Sequence, residues 1–260
     1  MDLSIIVVSF NTKELLEKCL TSIFKFLKGV NFEVIVVDNA STDGSAQVAK
    51  SFKSVRVIEN KKNLGFGTAN NQGAKVATGK WLFFFNSDAY FTDNSLPELL
   101  QRLEKDAKIG AAGPLILNPD RSIQQSVGFF PHLPQVFYWM SFLDDLPRGD
   151  LLKPYHVDHD RFYKRERQVD WVTGAAMFVR RDVFESLGGF DEKIFLYGED
   201  VDLCYRIKKV GFKVIFSPAA IVIHLGRGSS KLINIPAIVG EYSGVLYFYK
   251  KSKGTLAQIL

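Results

Sequence analysis

Short apolar runs alternate with segments of helical periodicity along the N-terminal part of the chain. The runs are rich in β-branched and aromatic residues, as in strands that are buried on both faces. The predicted strands are Leu3–Phe10, Phe32–Val37, Val55–Ile58 and Trp81–Phe85. Strands separated by helices imply right-handed crossovers, so the pattern predicts an α/β fold with a doubly wound, mostly parallel sheet and helices on both faces.

Helical spacing of apolar residues begins soon after the first strand. Asn11, with Glu14 three residues later, predicts an N-cap and a capping box there. A turn at 39–44 leads to a second helix, and further helices are predicted at Gly67–Ala77 and Leu96–Lys105.

The pattern loosens in the second half of the chain. Prolines within 129–168 forbid one long helix, so we expect irregular structure with short helices there. Regular structure is predicted again at Val169–Val179, in a helix after Tyr197, and in a strand at Lys213–Phe216. A further short apolar run ends at His224.

Polar residues follow the predicted strands at the points where the strands end. Ser9 and Asn11 follow the first strand, Asp38 the second, and Asn86-Ser87-Asp88 the fourth. Ligands of open parallel sheets bind outside the carboxyl ends of the strands, so we expect a site at this edge. Asp38 and Asp88 can there hold a divalent cation or the hydroxyls and imide of a nucleotide. Ordinary turn chemistry is the alternative for Asp88.

Three further segments carry candidate chemistry. Glu199, Asp200 and Asp202 lie at the start of a predicted helix, where they act either as capping groups or as a general base facing a cleft. His224 is either a structural residue or a ligand. Gly65-Phe66-Gly67 resembles the start of a dinucleotide-binding fingerprint, but it does not follow the first strand and the sixth position of the motif is not glycine. The segment is therefore either a phosphate-binding start of a helix or a simple turn. Arg227 pairs with a phosphate or lies on the surface.

Composition narrows the class of protein. The 260 residues include 33 basic and 28 acidic side chains, and the basic ones are scattered, so nucleic-acid binding is not expected. The two cysteines, Cys19 and Cys204, form no disulfide framework and favour a reducing cytoplasm. No segment reaches the roughly 18 apolar residues of a spanning helix. We expect a cytoplasmic protein, either soluble or peripheral on the inner face of the cell membrane.

Taken in order, the motifs resemble glycosyltransferase family 2, with the GT-A fold, and most closely its rhamnosyltransferase-like branch. The matching pieces are VSFN at 8–11, VVDNASTDGS at 36–45, NLGFGTANNQG at 63–73, FFNSDA at 84–89, WVTGAAMFVRR at 171–181, GGFDEKIFLYGEDVDLCYRIKKVGFK at 188–213, and His224. The match is poor in 129–168 and after about residue 230.

The resemblance implies inverting transfer of a sugar from a nucleoside-diphosphate donor to a hydroxyl of a glycan or lipid-linked acceptor. Rhamnose from dTDP-rhamnose is the expected donor, and cell-surface polysaccharide synthesis the expected process. The implied metal ligands are Asp88 and His224, binding Mn²⁺ or Mg²⁺. Asn86 stands at the first position of the family's Asp-Xaa-Asp element, which removes one charge.

The resemblance also assigns the remaining site residues. Asp200 matches the general base, with Glu199 beside it, and the sugar or acceptor is expected to contact Trp171, Gly174 and Glu199. The expected nucleotide-binding residues are Ser9, Asn11, Asp38, Asn63, Gly65, Asn86 and Ser87. Two rival interpretations stay open: an inactive nucleotide-sugar-binding or interaction module on the same fold, and glycoside hydrolysis, which leaves the nucleotide-like edge unexplained.

These assignments divide the chain into a nucleotide-sugar-binding half at 1–115, an acceptor-binding and catalytic half at 116–230, and a tail at 231–260. Aromatic residues near prolines and in the tail, some beside lysines, favour contact with a membrane surface. A second small core or a homodimer interface is an equal alternative. These residues are Phe129, Phe130, Phe137, Tyr138, Trp139, Phe142, Tyr247, Phe248, Tyr249, Lys250 and Lys251.

Overall fold

A computed structural model describes residues 1–130, 155–226 and 235–253 of the chain. Its N-terminal part alternates strands and helices as the hydrophobic pattern predicts, and the predicted bounds agree to within a residue or two. The elements are β1 (Leu3–Ser9), α1 (Lys13–Phe26), β2 (Phe32–Asp38), α2 (Ser45–Ser51), β3 (Val55–Glu59), α3 (Phe66–Val76), β4 (Trp81–Asn86), β5 (Ala89–Tyr90) and α4 (Leu96–Glu104).

The remaining described residues contain short strands around one long strand. These elements are β6 (Ile109–Leu117), β7 (Val127–Gly128), a 3₁₀ turn (Phe162–Lys164), β8 (Arg167–Val169), β9 (Trp171–Val172), β10 (Ala176–Arg180), α5 (Arg181–Ser186), α6 (Glu199–Lys209), β11 (Lys213–His224) and α7 (Ile235–Lys253). The described parts of 129–168 are largely irregular, as expected, and the part at 131–154 lies outside the described residues.

Within the described residues, nine strands form one sheet in the order β3-β2-β1-β4-β10-β6-β11-β5, with β8 paired to β11. The pairs β1–β2, β1–β4, β2–β3 and β6–β11 are parallel, whereas β10 runs antiparallel to both β4 and β6. The prediction of an α/β fold with a mostly parallel sheet is confirmed. In register, Ser9 is paired with Asp38 and Val8 with Asn86, so the first, second and fourth strands end at one edge.

The phenylalanine run of β4 is apolar throughout because the sheet is covered on both faces. Phe83 and Phe85 pack in the core formed with α1, α2 and α4, and Phe84 packs in the core formed with α3, α5, α6 and α7. Phe83, Phe84 and Phe85 are at most 1% exposed. A strand buried in this way is rigid, so the residues that follow it are held in fixed positions.

The N-terminus of α1 differs from the predicted capping box. Asn11 is not the N-cap: it adopts a left-handed conformation with φ of 53°, and Thr12 occupies the cap position without a side-chain cap bond. The first turn is instead capped from the loop after β2. The Asp43 carboxylate accepts the N–H of Lys13 at 2.8 Å, and the Ser45 hydroxyl accepts that of Thr12 at 3.2 Å.

The last part of the sheet is more continuous than the pattern indicates. The two apolar runs after Lys213 form the single strand β11, whose register against β6 shifts between Ser217 and Ile221. The two apolar runs are continuous through this irregularity, so the strand extends to His224. His224 pairs with Ala89 of β5. The predicted regular segment Val169–Val179 is divided between β8, β9 and β10, with Thr173 and Gly174 in the gap.

The tail forms helix α7, and its aromatic residues do not all lie on one exposed surface. Phe248 and Tyr249 are only 3% and 4% exposed and belong to the core on the α6 side of the sheet. The expected membrane-surface contact is wrong for these two residues, because α7 packs them against the sheet. Phe137, Tyr138, Trp139 and Phe142 lie outside the described residues, as does Arg227. No helix in the described part of the chain is both long and apolar enough to cross a membrane.

Candidate functional site

A cleft of about 460 Å³ opens at the edge where the parallel strands end. It is lined by the ends of β4 and β11, by the gap between β9 and β10, and by the start of α6. These elements bring together residues far apart in sequence, among them Asn86, Asp88, Trp171, Gly174, Asp200 and His224. Among the predicted site residues, Asp88, His224 and Asp200 line the cleft and Asp38 does not.

Asp88 and His224 face each other at one end of the cleft. The pairing of β5 with β11 places Ala89 opposite His224. This brings Nε2 of His224 to 3.1 Å from Oδ1 of Asp88, with both side chains mostly buried. Nδ2 of Asn86 lies 3.3 Å from the same Nε2 atom.

Gln124 fixes which nitrogen of His224 carries a proton. Its amide nitrogen donates to Oδ1 of Asn118 at 2.9 Å, so its Oε1, 2.6 Å from Nδ1 of His224, must accept from that nitrogen. In the neutral ring, Nε2 then carries the lone pair, which faces Nδ2 of Asn86 and Oδ1 of Asp88. A nitrogen lone pair and a carboxylate oxygen 3.1 Å apart are two ligands that one cation in the cleft can bind side by side.

The donor set fits a divalent ion only in part. Nitrogen and carboxylate ligands suit Mn²⁺, and the hydrogen bond from Nδ1 orients the imidazole as metal-binding histidines require. Within the described ranges, however, no cluster of three or more His, Cys, Asp or Glu side chains could hold a metal ion. Asp88 and His224 would therefore supply two ligands, and a bound substrate or water would have to supply the rest.

The Glu-Asp pair also lines the cleft, at the start of α6. Gly198, with φ of 93°, turns the chain into the helix. Oδ2 of Asp200 accepts the backbone N–H of Gly174 at 2.9 Å, and Oδ1 accepts that of Val201 at 2.8 Å. These bonds hold the carboxylate at the cleft wall.

The two carboxyl groups differ in their protonation. Glu199 is 5% exposed, its Oε2 has no hydrogen-bond partner among the described residues, and burial, with the charge of Asp200, raises its pKa to about 8. Burial also raises the pKa of Asp200, but its two backbone donors and His156 act in the opposite direction. Glu199 therefore holds a proton at neutral pH, and Asp200 is the better candidate for the ionised base.

The predicted nucleotide-binding residues at β1 and β2 have structural partners. The hydroxyls of Ser9, Thr12 and Ser87 form a buried chain with successive distances of 2.9 Å. Of these three, Thr12 and Ser87 line the cleft and Ser9 does not. Asn11 is exposed, and its side-chain oxygen accepts the N–H of Thr42 at 2.8 Å.

Asp38 is 3% exposed and lies just behind the cleft wall. Its Oδ2 accepts the N–H of Ser41 at 2.9 Å, whereas the buried Oδ1 has no hydrogen-bond partner among the residues that the structure describes. A buried carboxylate oxygen left without a donor is costly, so it has spare capacity for a ligand N–H or O–H. The neighbouring Asn39 lines the cleft, although the sequence did not single it out as a site residue.

Asn63 and Gly65 form the loop that begins α3. Oδ1 of Asn63 accepts the N–H of Gly65 at 2.9 Å and the Nδ2 of Asn39 at 3.1 Å. Gly65 has φ of +84°, and a Cβ there would lie 2.5 Å from the carbonyl oxygen of Phe195. The glycine is thus required by contact with the segment before α6, whether or not a phosphate binds the loop.

Trp171 and Gly174 form the floor beneath the Glu-Asp pair. The indole N–H of Trp171 donates to the carbonyl of Phe129 at 3.2 Å, and His156 packs edge-on against the ring with centroids 5.1 Å apart. His156 lines the cleft and Gln124 holds the His224 ring; neither was singled out from the sequence. They lie in stretches with no distinctive spacing, so only the fold brings them to these positions.

Comparisons with known proteins show the family to which the chain belongs. The family description "Glycosyl transferase family 2" matches residues 4–188, and "Glycosyl transferase family group 2" matches residues 154–233. The chain belongs to glycosyl transferase family 2. An N-acetylglucosaminyl-diphospho-decaprenol L-rhamnosyltransferase of Mycobacterium tuberculosis is 32% identical over 234 residues, covering 85% of this chain and 75% of the relative. The rhamnosyltransferase WbbL of Escherichia coli is 25% identical over 235 residues, 87% of this chain and 84% of that protein.

Comparison with solved structures confirms the GT-A fold of this family 2 chain. GalNAc-T7 with UDP, GalNAc and Mn²⁺ superposes with a TM-score of 0.70 at 21% identity, over 97% of this chain and 48% of that one. The mannosyltransferase PcManGT of Pyrobaculum calidifontis, in complex with GDP-Man and Mn²⁺, gives 0.65 at 19% identity, over 96% and 64%. At these identities the likeness establishes the fold; the chain spans about half of the first structure and under two thirds of the second.

Proposed function

We propose that this protein transfers a sugar, with inversion, from a nucleoside-diphosphate donor to a hydroxyl of a glycan or lipid-linked acceptor in cell-surface polysaccharide synthesis. The observation that carries the proposal is that one cleft is lined both by the Asp88–His224 pair and by the half-buried carboxylate of Asp200. An inverting displacement needs one base and no protein nucleophile.

The proposed donor is dTDP-rhamnose. Its support is the relatives named as rhamnosyltransferases, one of which is named for an N-acetylglucosaminyl-diphospho-decaprenol acceptor. An acceptor of that kind would bring the protein to the cytoplasmic face of a membrane. Contact with anionic vesicles in co-sedimentation would test that placement.

In the proposed reaction, Asp200 takes the proton of the acceptor hydroxyl as the acceptor oxygen bonds to the anomeric carbon. The bond from that carbon to the diphosphate oxygen breaks on the opposite face, and the electron pair leaves with the nucleoside diphosphate. Glu199, which stays protonated, can donate a hydrogen bond to a sugar or acceptor oxygen without competing for the proton. Trp171 and Gly174 form the surface on which the sugar and acceptor lie.

A divalent ion, Mn²⁺ or Mg²⁺, held by Asp88 and His224 would supply Lewis-acid stabilisation of the leaving diphosphate. We assign the nucleotide to the edge formed by the β1, β2 and α3 loops, where Asn39 lines the cleft and Asp38 lies beside it with one buried carboxylate oxygen that accepts no hydrogen bond from the described residues. Ser9, Asn11, Asn63, Gly65, Asn86 and Ser87 shape that edge. Residues 1–115 thus form the donor-binding half and 116–230 the acceptor-binding and catalytic half.

The test is turnover of defined donors by the purified protein. dTDP-rhamnose, UDP-GlcNAc and GDP-mannose are each incubated with Mn²⁺ and a short-chain polyprenyl-diphospho-N-acetylglucosamine, and released nucleoside diphosphate and glycosylated lipid are measured by chromatography. We expect release and product with dTDP-rhamnose, abolished by Asp200→Asn and retained by the exposed-site control Glu17→Gln.

A second outcome would favour the inactive-module alternative. If the protein binds dTDP-rhamnose by calorimetry yet neither hydrolyses nor transfers the sugar across an acceptor panel, the transferase proposal fails. If Asp200→Asn formed product at the wild-type rate, the assignment of Asp200 as the general base would be wrong.

A further inference from the structure

Helix α7 touches the backbone of the segment that leads into the Glu-Asp pair. A Cβ added to Gly244 would lie 2.5 Å from the carbonyl oxygen of Tyr197, and one added to Gly240 would lie 2.8 Å from the Tyr197 ring. Gly198 approaches from the other side, since its added Cβ would lie 3.1 Å from Cα of Gly244. Small residues on both partners therefore allow direct backbone contact one residue before Glu199.

A charged cluster joins the same helix to both ends of the segment 191–202. Nζ of Lys251 lies 2.7 Å from Oδ2 of Asp191 and 2.7 Å from Oδ1 of Asp202. The hydroxyl of Tyr247 also donates to Asp191, at 2.9 Å, and Nε of Arg206 donates to Asp202 at 2.8 Å. One ammonium group thus bridges the start of the segment and the first turn of α6.

The carboxylates of the cluster are more buried than its cation: the Asp191 side chain is 15% exposed and that of Lys251 34%. The Asp202 side chain is 2% exposed. Burial alone would raise the pKa of Asp191, but Lys251, the N–H of Lys193 and the Tyr247 hydroxyl outweigh it and lower that pKa to about 2. Without Lys251, Asp202 keeps Arg206 but Asp191 loses its cation and the bridge to α6 is broken, so loss of Lys251 would favour rearrangement of the segment.

The segment itself has little packing at its centre. Phe195, Leu196 and Tyr197 are 58%, 41% and 36% exposed, and Tyr197 has φ of 71°. A strained, exposed stretch keeps one conformation only if its surroundings fix it. Here those surroundings include α7. This helix lies outside the two segments that match the family descriptions, which end at residues 188 and 233.

We propose that α7 positions the catalytic segment, and that Lys251 is the positioning residue that holds residues 191–202 so that Asp200 faces the cleft. Lys251 acts through Asp191 and Asp202 and does not touch substrate. The catalytic consequence rests on the proposed transferase function, whereas the structural coupling does not.

The test compares Lys251→Met with Lys251→Arg and with the control Lys250→Met, which changes the exposed neighbouring lysine. In Lys251→Met we expect kcat to fall by about a hundredfold, as small displacements of catalytic groups do, with KM for the donor changed less than about twofold. Lys251→Arg should restore most of kcat, and Lys250→Met should match the wild type.

Hydrogen exchange gives a readout that is independent of activity. In Lys251→Met, amides of 191–203 should exchange at least about tenfold faster while those of β1, β2 and β4 keep their protection. Gly244→Ala should do the same, and the exposed-site control Ser243→Ala should not. If the wild type has no transferase activity but exchange responds in this way, the proposed function fails and the positioning role stands.

Two results would overturn the positioning role. One is unchanged exchange in 191–203 together with unchanged kcat in Lys251→Met. The other is uniform loss of protection over the whole chain with normal kcat per folded molecule, which marks Lys251 as a general stabiliser. Should Lys251→Met fail to fold, Tyr247→Phe removes only the bond to Asp191, and it must still raise exchange locally for the proposal to hold.

Discussion

The backbone N–H of Gly174 donates to Oδ2 of Asp200 across 2.9 Å, although the two residues are 26 positions apart. The bond joins the gap between β9 and β10 to the first turn of α6. It fixes one carboxylate oxygen, and it requires that oxygen to act as an acceptor. Asp200 is therefore held ready to act as a base at the wall of the cleft.

We predict that Asp200→Asn lowers kcat by about 10²–10⁴-fold, because an amide cannot accept the acceptor proton. The amide oxygen can still accept from Gly174, so the fold of the cleft should persist. Turnover assays give kcat, and calorimetry with dTDP should give a Kd within about threefold of wild type.

The surface variant Glu17→Gln is the control, because it removes one carboxylate at an exposed position outside the cleft. An Asp200→Asn enzyme with normal turnover would exclude Asp200 as the base. A variant that also fails to bind dTDP would show that residue 200 shapes the donor site rather than the chemistry.

A second prediction concerns stability and pH. The pKa of Glu199 is raised to about 8 in the folded protein, against an ordinary value of 4.5, so the folded state holds more protons than the unfolded state between those values. Its contribution is fully present below the unfolded pKa and is lost as pH rises through 8. The free energy of unfolding should then fall by at most about 1.4 kcal/mol per pH unit in this window.

Glu199→Gln is the matched variant, since glutamine is neutral at every pH. We expect denaturant titrations at pH 5 to 9 to show a flatter profile for this variant, with its largest advantage over wild type at the alkaline end. Parallel profiles for the two proteins would mean that Glu199 is ionised in the native state at neutral pH.

The metal-binding end of the cleft gives a third prediction. Asp88→Ala should abolish the strengthening of dTDP binding by Mn²⁺, because it removes one of two protein ligands. Gln124→Leu leaves both ligands but frees the His224 ring, and should weaken Mn²⁺-dependent binding by about 10–100-fold. Calorimetric titrations with Mn²⁺ and with EDTA measure both effects, and equal affinities in the two buffers for the wild type would contradict the metal site.

The sequence predicted those parts of the protein that depend on local pattern. The alternation of runs such as Trp81–Phe85 with amphipathic segments was sufficient for the sheet, because burial on both faces forces continuous apolar strands. The same logic placed Asp88 at the carboxyl edge. The sequence also placed Asp200 at a helix start, which the structure bears out at Glu199–Lys209.

Features that depend on contacts between distant segments could not be predicted in this way. Gln124 meets His224 only because of how the β6 and β11 strands end, and the two are 100 positions apart. Asn11 does not cap α1, because Asp43 and Ser45, which follow β2 in the chain, accept the N–H groups at the start of the helix. The sequence could not show that Phe248 and Tyr249 are buried, because their burial depends on the packing of α7 against the sheet.

Asn39 carries the fourth prediction, because it is the centre of a buried amide network behind the donor edge. The residue is 2% exposed. Its Nδ2 donates to Oδ1 of Asn63 and to the carbonyl of Gly65, both at 3.1 Å, and its Oδ1 accepts from Nδ2 of Asn60 at 2.9 Å. All these partners belong to the loop between β3 and α3.

Asn39→Ala should therefore lower the free energy of unfolding by about 2–3 kcal/mol, since buried partners are left unsatisfied. It should also weaken dTDP binding, because the loop carrying Asn63 and Gly65 loses its anchor to β2. The control Asn94→Ala removes an exposed amide that accepts a single N–H, from Lys28, and should cost under about 1 kcal/mol. Urea unfolding and calorimetry measure the two effects; equal losses in both variants would mean that the network does not stabilise the donor edge.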